Sequence, residues 1–512
     1  MSVHSGDGLA DGNPADGNRA DRGPGWSPAI PGDEADGHPV DETPLEVTDQ
    51  VRQARARYLL LDERPMPDLV AQLLGPMQRA GPLYWLLFAV LGCMVLVAGG
   101  VWIYQMWWGI GITGLNRPVM WAVYIANFVY FIGIGVAGTF ISAVLRVLRF
   151  QWRTPITRAA ETLTVFALAT SGLFPLIHLG RTWKFYWMLP YPNERRLWPS
   201  YHSALLWDMT AILTYLTSSV LFAWLVMIPD LATMRDRIAR GWRYRLMNIL
   251  ALGWRGTEGE WSHLKTATTI FSLAIIPVMI LMHSIVGWDF AMTIQAGWHS
   301  TVFGPYFVSG ALLSGAAAVI IVLAIARKAL HLEYFLRAEH FDGMGRFLLV
   351  LSLAWAYFYF NDVLVPWYGQ LPVDKTILQL FISGRAAPLW SLMVFSNLVL
   401  PAATLWSRRV RTFIPAMVVI SIFVNIGMYL ERYLIVAVSL GRNELPFDWG
   451  SYIPHWPEIL ITIGAFSLIG FLFLVFVKLF PIIPIWEVRE GQMKQGLRRI
   501  GRDLVPTRVD PD

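Results

Sequence analysis

After Gly81 the chain alternates long apolar runs with short polar loops. The runs extend over roughly 18 to 25 residues, the length a helix needs to cross a hydrocarbon core. Ten can be placed, at about 83–105, 119–143, 158–178, 204–228, 267–288, 305–326, 347–366, 388–406, 413–437 and 458–480. The pattern predicts an all-α integral membrane protein with ten transmembrane helices in a domain spanning 81–480. Residues 1–44 repeat Ala-Asp-Gly and are poor in large apolar side chains, so they are expected to form a disordered tail. That tail lacks the basic start and apolar h-region of a signal peptide. Residues 45–80 contain VRQARARYLLL and MPDLVAQLLGPM, which predict one or two amphipathic helices on the membrane or against a partner. Residues 481–512 read as a second tail.

Basic residues are sorted by loop. Arg146, Arg149, Arg153 and Arg158 follow span two; Arg235, Arg237, Arg240, Arg243, Arg245 and Arg255 follow span four. Arg327, Lys328, Arg337 and Arg346 follow span six, and Arg408, Arg409 and Arg411 follow span eight. All these loops share one side, which the positive-inside rule makes cytoplasmic, together with both termini. The loop after span five has no Lys or Arg before Pro305. One loop breaks the pattern: Arg181, Lys184, Arg195 and Arg196 follow span three on the outer side. The sorting fits the cytoplasmic membrane of a bacterium.

Composition agrees with a bilayer protein. Of 512 residues 55% are hydrophobic and 14% aromatic, with mean hydropathy +0.46, well outside the range of soluble domains. A net charge of +5 gives no reason to invoke nucleic acid. The single cysteine, Cys93, can neither close an intrachain disulfide nor hold an iron–sulfur cluster. Any redox metal must come from a partner or from histidines.

Ionisable groups are costly beside membrane-length apolar runs, so their positions point to function. His178 closes span three, Asp208 opens span four and Asp289 ends span five, all at the outer end. Oxidising a quinol releases two protons and two electrons, and imidazole or carboxylate groups suit both hydroxyl binding and proton uptake. Each residue also fits the blander role of a helix cap or snorkelling side chain. Arg181 and Lys184 could pair with the carboxylates, while Trp183, Tyr186 and Trp187 could wall a slot for a flat ring. Those aromatics equally suit an interfacial belt with Trp198 and Tyr201.

Span four also carries Thr210, Thr214, Tyr215, Thr217, Ser218 and Ser219, and span two carries Tyr124, Asn127, Tyr130 and Ser142. Tyr124, Asn127, Thr214, Tyr215, Ser218 and, in span five, His283 are candidates for a proton path. Hydroxyls in spans more often bond between helices or back to their own carbonyls. GIGVAG at 133–138 predicts a close helix-packing face. In the second half Asn361 and Asp362 end span seven, and Glu431 and Arg432 lie near the outer end of span nine. As sequence neighbours these two do not share a helix face and are expected to take different partners, as structural ion pairs or in a second polar cavity.

A bis-histidine haem needs facing imidazoles. Of His178, His202, His283 and His299 only His283 lies clearly within a span, and no C-x-x-C-H occurs. The chain is expected to bind no haem or metal of its own.

With HLGRTWKFYW and LWDMT placed at the outer ends of spans three and four, the chain resembles the NrfD/PsrC family of quinol-interacting membrane subunits. Within that family it is most similar to ActC, the larger such subunit of bacterial alternative complex III. The resemblance covers about residues 80–480. It implies two four-helix bundles, spans two to five and six to nine, flanked by spans one and ten. It implies a quinol site at the outer end of the first bundle, at His178, Asp208 and Asp289, with menaquinol as substrate. It also implies partners: an iron–sulfur subunit, a multihaem cytochrome c subunit and a second NrfD-like membrane subunit. Two other readings stand beside it. One is the membrane anchor and quinone-binding subunit of a molybdoenzyme-type reductase; the other is a secondary transporter, for which Pro277 in span five supplies the main mid-span break.

Overall fold

The computed structural model describes residues 66–148, 150–189, 201–442, 445–500 and 503–508. The expected tail at 1–44, the VRQARARYLLL helix and the loop residues Arg195, Arg196 and Trp198 lie outside these.

Among the described residues ten helices are long and apolar enough to cross a membrane. Span one is Pro82–Trp108, span two Val123–Val147, span three Thr154–His178, span four Ala204–Arg235 and span five Glu258–Ala291. Span six is Phe303–Ala329, span seven Ala338–Gly369, span eight Ala387–Thr404, span nine Ile414–Val438 and span ten Trp456–Leu479. Spans four, five and seven have 32, 34 and 32 residues and so outrun their apolar segments. At 1.5 Å per residue such helices are about 50 Å long, and the surplus projects on the arginine-rich side. Span five starts where Thr257 and Glu260 form a reciprocal cap, with Glu260 N–H on Thr257 Oγ1 at 3.4 Å and Thr257 N–H on Glu260 Oε2 at 2.9 Å.

Spans two to five pack in a closed ring, each against the next and five against two. Spans six to nine form a second bundle, joined to the first where span two meets spans six and nine and span five meets span six. Spans one and ten pair with each other beside the bundles; span ten packs against spans two and three, and span one touches them through Gln105, which donates to the Ile177 carbonyl at 2.8 Å. Burial follows: 89% of the central stretch of span two and 67% of that of span six is covered, against 6% of span one. Spans two and six therefore lie at the centre of the contact between bundles. Small residues allow it, since a Cβ on Gly315 would overlap Ala137, and one on Gly138 would overlap the Ala160 carbonyl of span three.

Three features depart from the sequence expectation. Pro372–Ile382 forms a short helix between spans seven and eight, and spans eight and nine each contain one wide π-helical turn, Phe395–Val399 and Leu434–Val438. The C-terminal stretch expected as a tail instead contains a helix at Ile485–Lys494 and a hairpin of strands Gln495–Ile500 and Asp503–Arg508. Charges on the arginine-rich side anchor that helix. Asp230 of span four accepts from Arg158 Nη1 at 2.5 Å and from the Ile485 and Trp486 amides at 3.1 and 2.9 Å. Glu487 accepts from Arg146 at 2.9 Å and Arg153 at 2.8 Å. Ahead of span one, helix Met66–Gln78 buries Leu69, Val70, Leu73 and Met77 on one face, as an amphipathic helix should. Lys478 of span ten donates to its Pro76 and Arg79 carbonyls.

Candidate quinol site

Span three ends at His178 because Gly180 turns the chain at φ +68°, a conformation glycine adopts freely. Span four starts beyond the undescribed loop at Ala204 and brings Asp208 inward after one turn. Span five delivers Asp289 in its last turn. The three side chains line one cavity of about 510 Å³, within the range of small-molecule pockets. Its walls are apolar: Trp121, Ile125 and Phe128 of span two, Pro175 of span three, Ile212 of span four and Phe290 of span five. Asp208 is 6% and Asp289 8% exposed, and His178 is half-buried.

Each of the three has an unused hydrogen-bonding atom. Asp208 Oδ1, Asp289 Oδ1 and His178 Nδ1 are shielded from solvent and bond to no other group among the described residues. Buried polar atoms are ordinarily satisfied, so three orphans facing one apolar slot mark where a guest's hydroxyls could sit. The two carboxylates also lie within electrostatic range of each other.

Arg181, Trp183 and Tyr186 do not line this cavity. The segment Thr182–Met188 is a 3₁₀ helix, whose three-residue repeat stacks Lys184 on Trp187, the ammonium 4.2 Å from the ring centre. Trp187, though 54% exposed, and Met188 line the cavity, while Trp183, Tyr186 and Arg181 do not. They occupy the place of an interfacial belt.

The proton-path candidates do not form one line. Tyr124 donates to Gln105 of span one at 2.5 Å, and Asn127 donates to Thr462 of span ten at 2.7 Å. Thr214 faces outward, and Ser218 donates back to the Thr214 carbonyl at 2.7 Å. Of the span-four candidates only Tyr215 points into the bundle, donating to the Val136 carbonyl at 2.9 Å. His283 is fully buried at the junction of the bundles, its ring 6.2 Å from Phe307. Two further buried polar contacts lie in the first bundle: the Thr139 amide donates to Thr164 Oγ1 at 2.7 Å, and Ser142 donates to Glu161 at 2.5 Å. Glu161 was missed, although a carboxylate two turns into span three was a readable signal.

Among the described residues, no group of three or more His, Cys, Asp or Glu is arranged to hold a metal ion. The sequence model of the family described as polysulphide reductase, NrfD, matches residues 111–441, more than half of the chain. The chain belongs to the NrfD family. The matched stretch covers both bundles, spans two to nine, and leaves out the flanking pair. Two relatives extend the match. A putative membrane subunit of a dimethyl sulfoxide reductase from Halobacterium salinarum is 24% identical over 436 residues, 78% of this chain and 91% of that protein. A selenate reductase subunit from Mesobacillus selenatarsenatis is 22% identical over 421 residues, 78% of this chain and 94% of that protein. As an NrfD protein with ten spans, the chain is a multi-pass integral membrane subunit.

Proposed function

We propose that this chain is the quinol-interacting membrane subunit of a molybdoenzyme-type reductase complex, a reading supported by two relatives named as subunits of a dimethyl sulfoxide reductase and a selenate reductase. In this reading a quinol, menaquinol in our assignment, enters the first cavity and is oxidised near the outer face of a bacterial cytoplasmic membrane. Two electrons pass to iron–sulfur centres of a partner subunit, since the chain offers no cluster ligands of its own. Two protons leave the hydroxyls. Asp208 and Asp289 accept hydrogen bonds from the ring and take up protons, and His178 at the rim passes them outward.

The observation that carries this reading is the set of orphaned Asp208, Asp289 and His178 atoms in one apolar cavity. It also weighs against a transporter, whose site would sit at midplane between broken helices. The resemblance to ActC, with multihaem cytochrome and second NrfD-like partners, drew on the number of spans. That argument does not favour ActC over a reductase subunit, because the alignment with the dimethyl sulfoxide reductase subunit covers 78% of this chain and 91% of that protein.

The test is quinol turnover by the intact complex with Asp208→Asn and Asp289→Asn. Each is expected to lower kcat by about 10²-fold, the usual worth of a positioned acid–base group. Turnover unchanged in both variants, with the complex assembled, would overturn the assignment.

A further inference from the structure

The second bundle contains a cavity that the quinol reading does not use. It measures about 400 Å³ and lies between spans six to nine, the helix Pro372–Ile382 and the loop after span five. It is at the outer ends of these spans, on the same side as the first. Val302, Pro366, Ile377, Phe381 and Met393 make much of its wall apolar.

Polar groups stand in its depths and at its mouth. Glu431, 1% exposed, accepts from Trp355 Nε1 at 2.7 Å through one carboxylate oxygen. Its other oxygen takes no hydrogen bond from the described residues and lies 3.5 Å from Arg432 Nη1. Arg432 itself rests on the Phe307 ring at 4.2 Å, so the neighbours take different partners, as their spacing predicts, and still meet each other. The Tyr306 hydroxyl is fully buried and bonds to no described residue. At the mouth His299 Nε2 stands 3.5 Å from Asp374, which also accepts the Gly297 amide at 3.2 Å.

A structural ion pair explains Glu431 and Arg432 but not the space beside them. Tyr306 and Glu431 both line the cavity; the Tyr306 hydroxyl bonds to no described residue and the second Glu431 oxygen has only the Arg432 contact at 3.5 Å, so a guest's polar groups would complete both. The Leu434–Val438 π turn adds an independent sign: Leu434, Ile435 and Ser439 line the cavity, and such wide turns in helices frequently mark functional positions. The features of the first cavity recur: a proline-bearing span (Pro175, Pro366), buried acceptors and an imidazole at the rim.

We infer that the second bundle binds its own quinol-type ring, with Glu431 accepting from one hydroxyl and Tyr306 hydrogen-bonding the other oxygen. The carboxylate would hold a hydroxylated aromatic head while the apolar wall takes the ring, so a dihydroxy aromatic amphiphile fits better than a simple anion.

The test uses the intact purified complex and 2-heptyl-4-hydroxyquinoline N-oxide, a quinol analogue whose fluorescence is quenched on binding. Titration should give two bound molecules attributable to this subunit. Leu378→Trp, which fills the second cavity from a half-buried wall position, should remove one. Glu431→Gln should weaken the same molecule at least tenfold, and Asp208→Asn should weaken only the other. If Leu378→Trp changes neither stoichiometry nor affinity, the second cavity holds water alone and the inference fails. Loss of the Leu378-sensitive molecule with no effect of Asp208→Asn would instead sink the first site and leave the second standing.

Discussion

At the scale of single residues, legibility tracked cost. His178, Asp208 and Asp289 were readable because an ionisable group beside an apolar run is rare without a use, and the structure places them around one cavity. Aromatic side chains carry no such penalty at an interface, so the sequence could not sort Trp183 and Tyr186 from Trp187. Only the cavity lining does so, since it includes Trp187 and neither of the others. It leads to a paired prediction. If the first cavity holds the quinol as proposed, Trp187→Ala removes part of its wall and should raise KM for quinol about tenfold, equivalent to about 1.4 kcal/mol of lost binding. Trp183→Ala, at a position outside the cavity lining, should leave KM within about twofold. Steady-state kinetics of the two complexes decide the matter, and equal effects would place the ring elsewhere. Glu161 shows the opposite failure. Its signal was present, but it sits at the arginine-rich end, away from the three groups that converge at the outer end.

At the scale of elements, hydropathy located the spans and said little about which neighbours they choose. Lipid and a neighbouring helix are equally apolar, so packing partners are selected by small residues and polar bonds instead. GIGVAG did announce the interface of span two, and Gly315 of span six is its counterpart. Gly315→Val should therefore prevent the bundles from closing and abolish a monodisperse complex in size-exclusion chromatography. Gly99→Val in span one, where a Cβ meets nothing within 4 Å, should not. The helix Pro372–Ile382 and the π turns escaped notice because each is shorter than the window over which periodicity can be judged.

The C-terminal helix was missed for another reason: its docking depends on charges distant in sequence. Burial alone would push the Glu487 carboxyl up, but Arg153 and Arg146 outweigh it and hold the group at about 2, below its ordinary 4.5. A carboxylate held low contributes stability that is complete above about pH 4.5 and disappears as the pH falls toward about 2. Glu487→Gln leaves both arginines without their partner, at a cost of about 3 kcal/mol. Hydrogen exchange at the Ile485 and Trp486 amides, which bond Asp230 beside it, should accelerate on the order of 100-fold at neutral pH. The gap between variant and wild type should narrow as acid protonates Glu487. A gap constant down to about pH 2.5 would show that the ion pairs do not hold this helix.

At the scale of the whole molecule, everything proposed depends on which membrane face the two cavities open toward. The structure puts both at the ends of spans opposite the arginine-rich loops, and the positive-inside rule then sends them outward. Arg181 and Lys184 oppose the rule locally but are outnumbered by the basic residues after spans two, four, six and eight. Orientation can be read without reference to activity, because the chain has one cysteine, Cys93, and it lies on an exposed face of span one where lipid would shield it. An impermeant maleimide applied to intact cells should leave the wild-type chain unlabelled. Ile294→Cys, in the loop after span five and 92% exposed, should label fully from outside. Arg240→Cys, in the loop after span four, should label only once the membrane is opened. The reverse result would turn both cavities toward the cytoplasm. Protons released from quinol would then stay on the inner side, and turnover could not contribute to a transmembrane gradient.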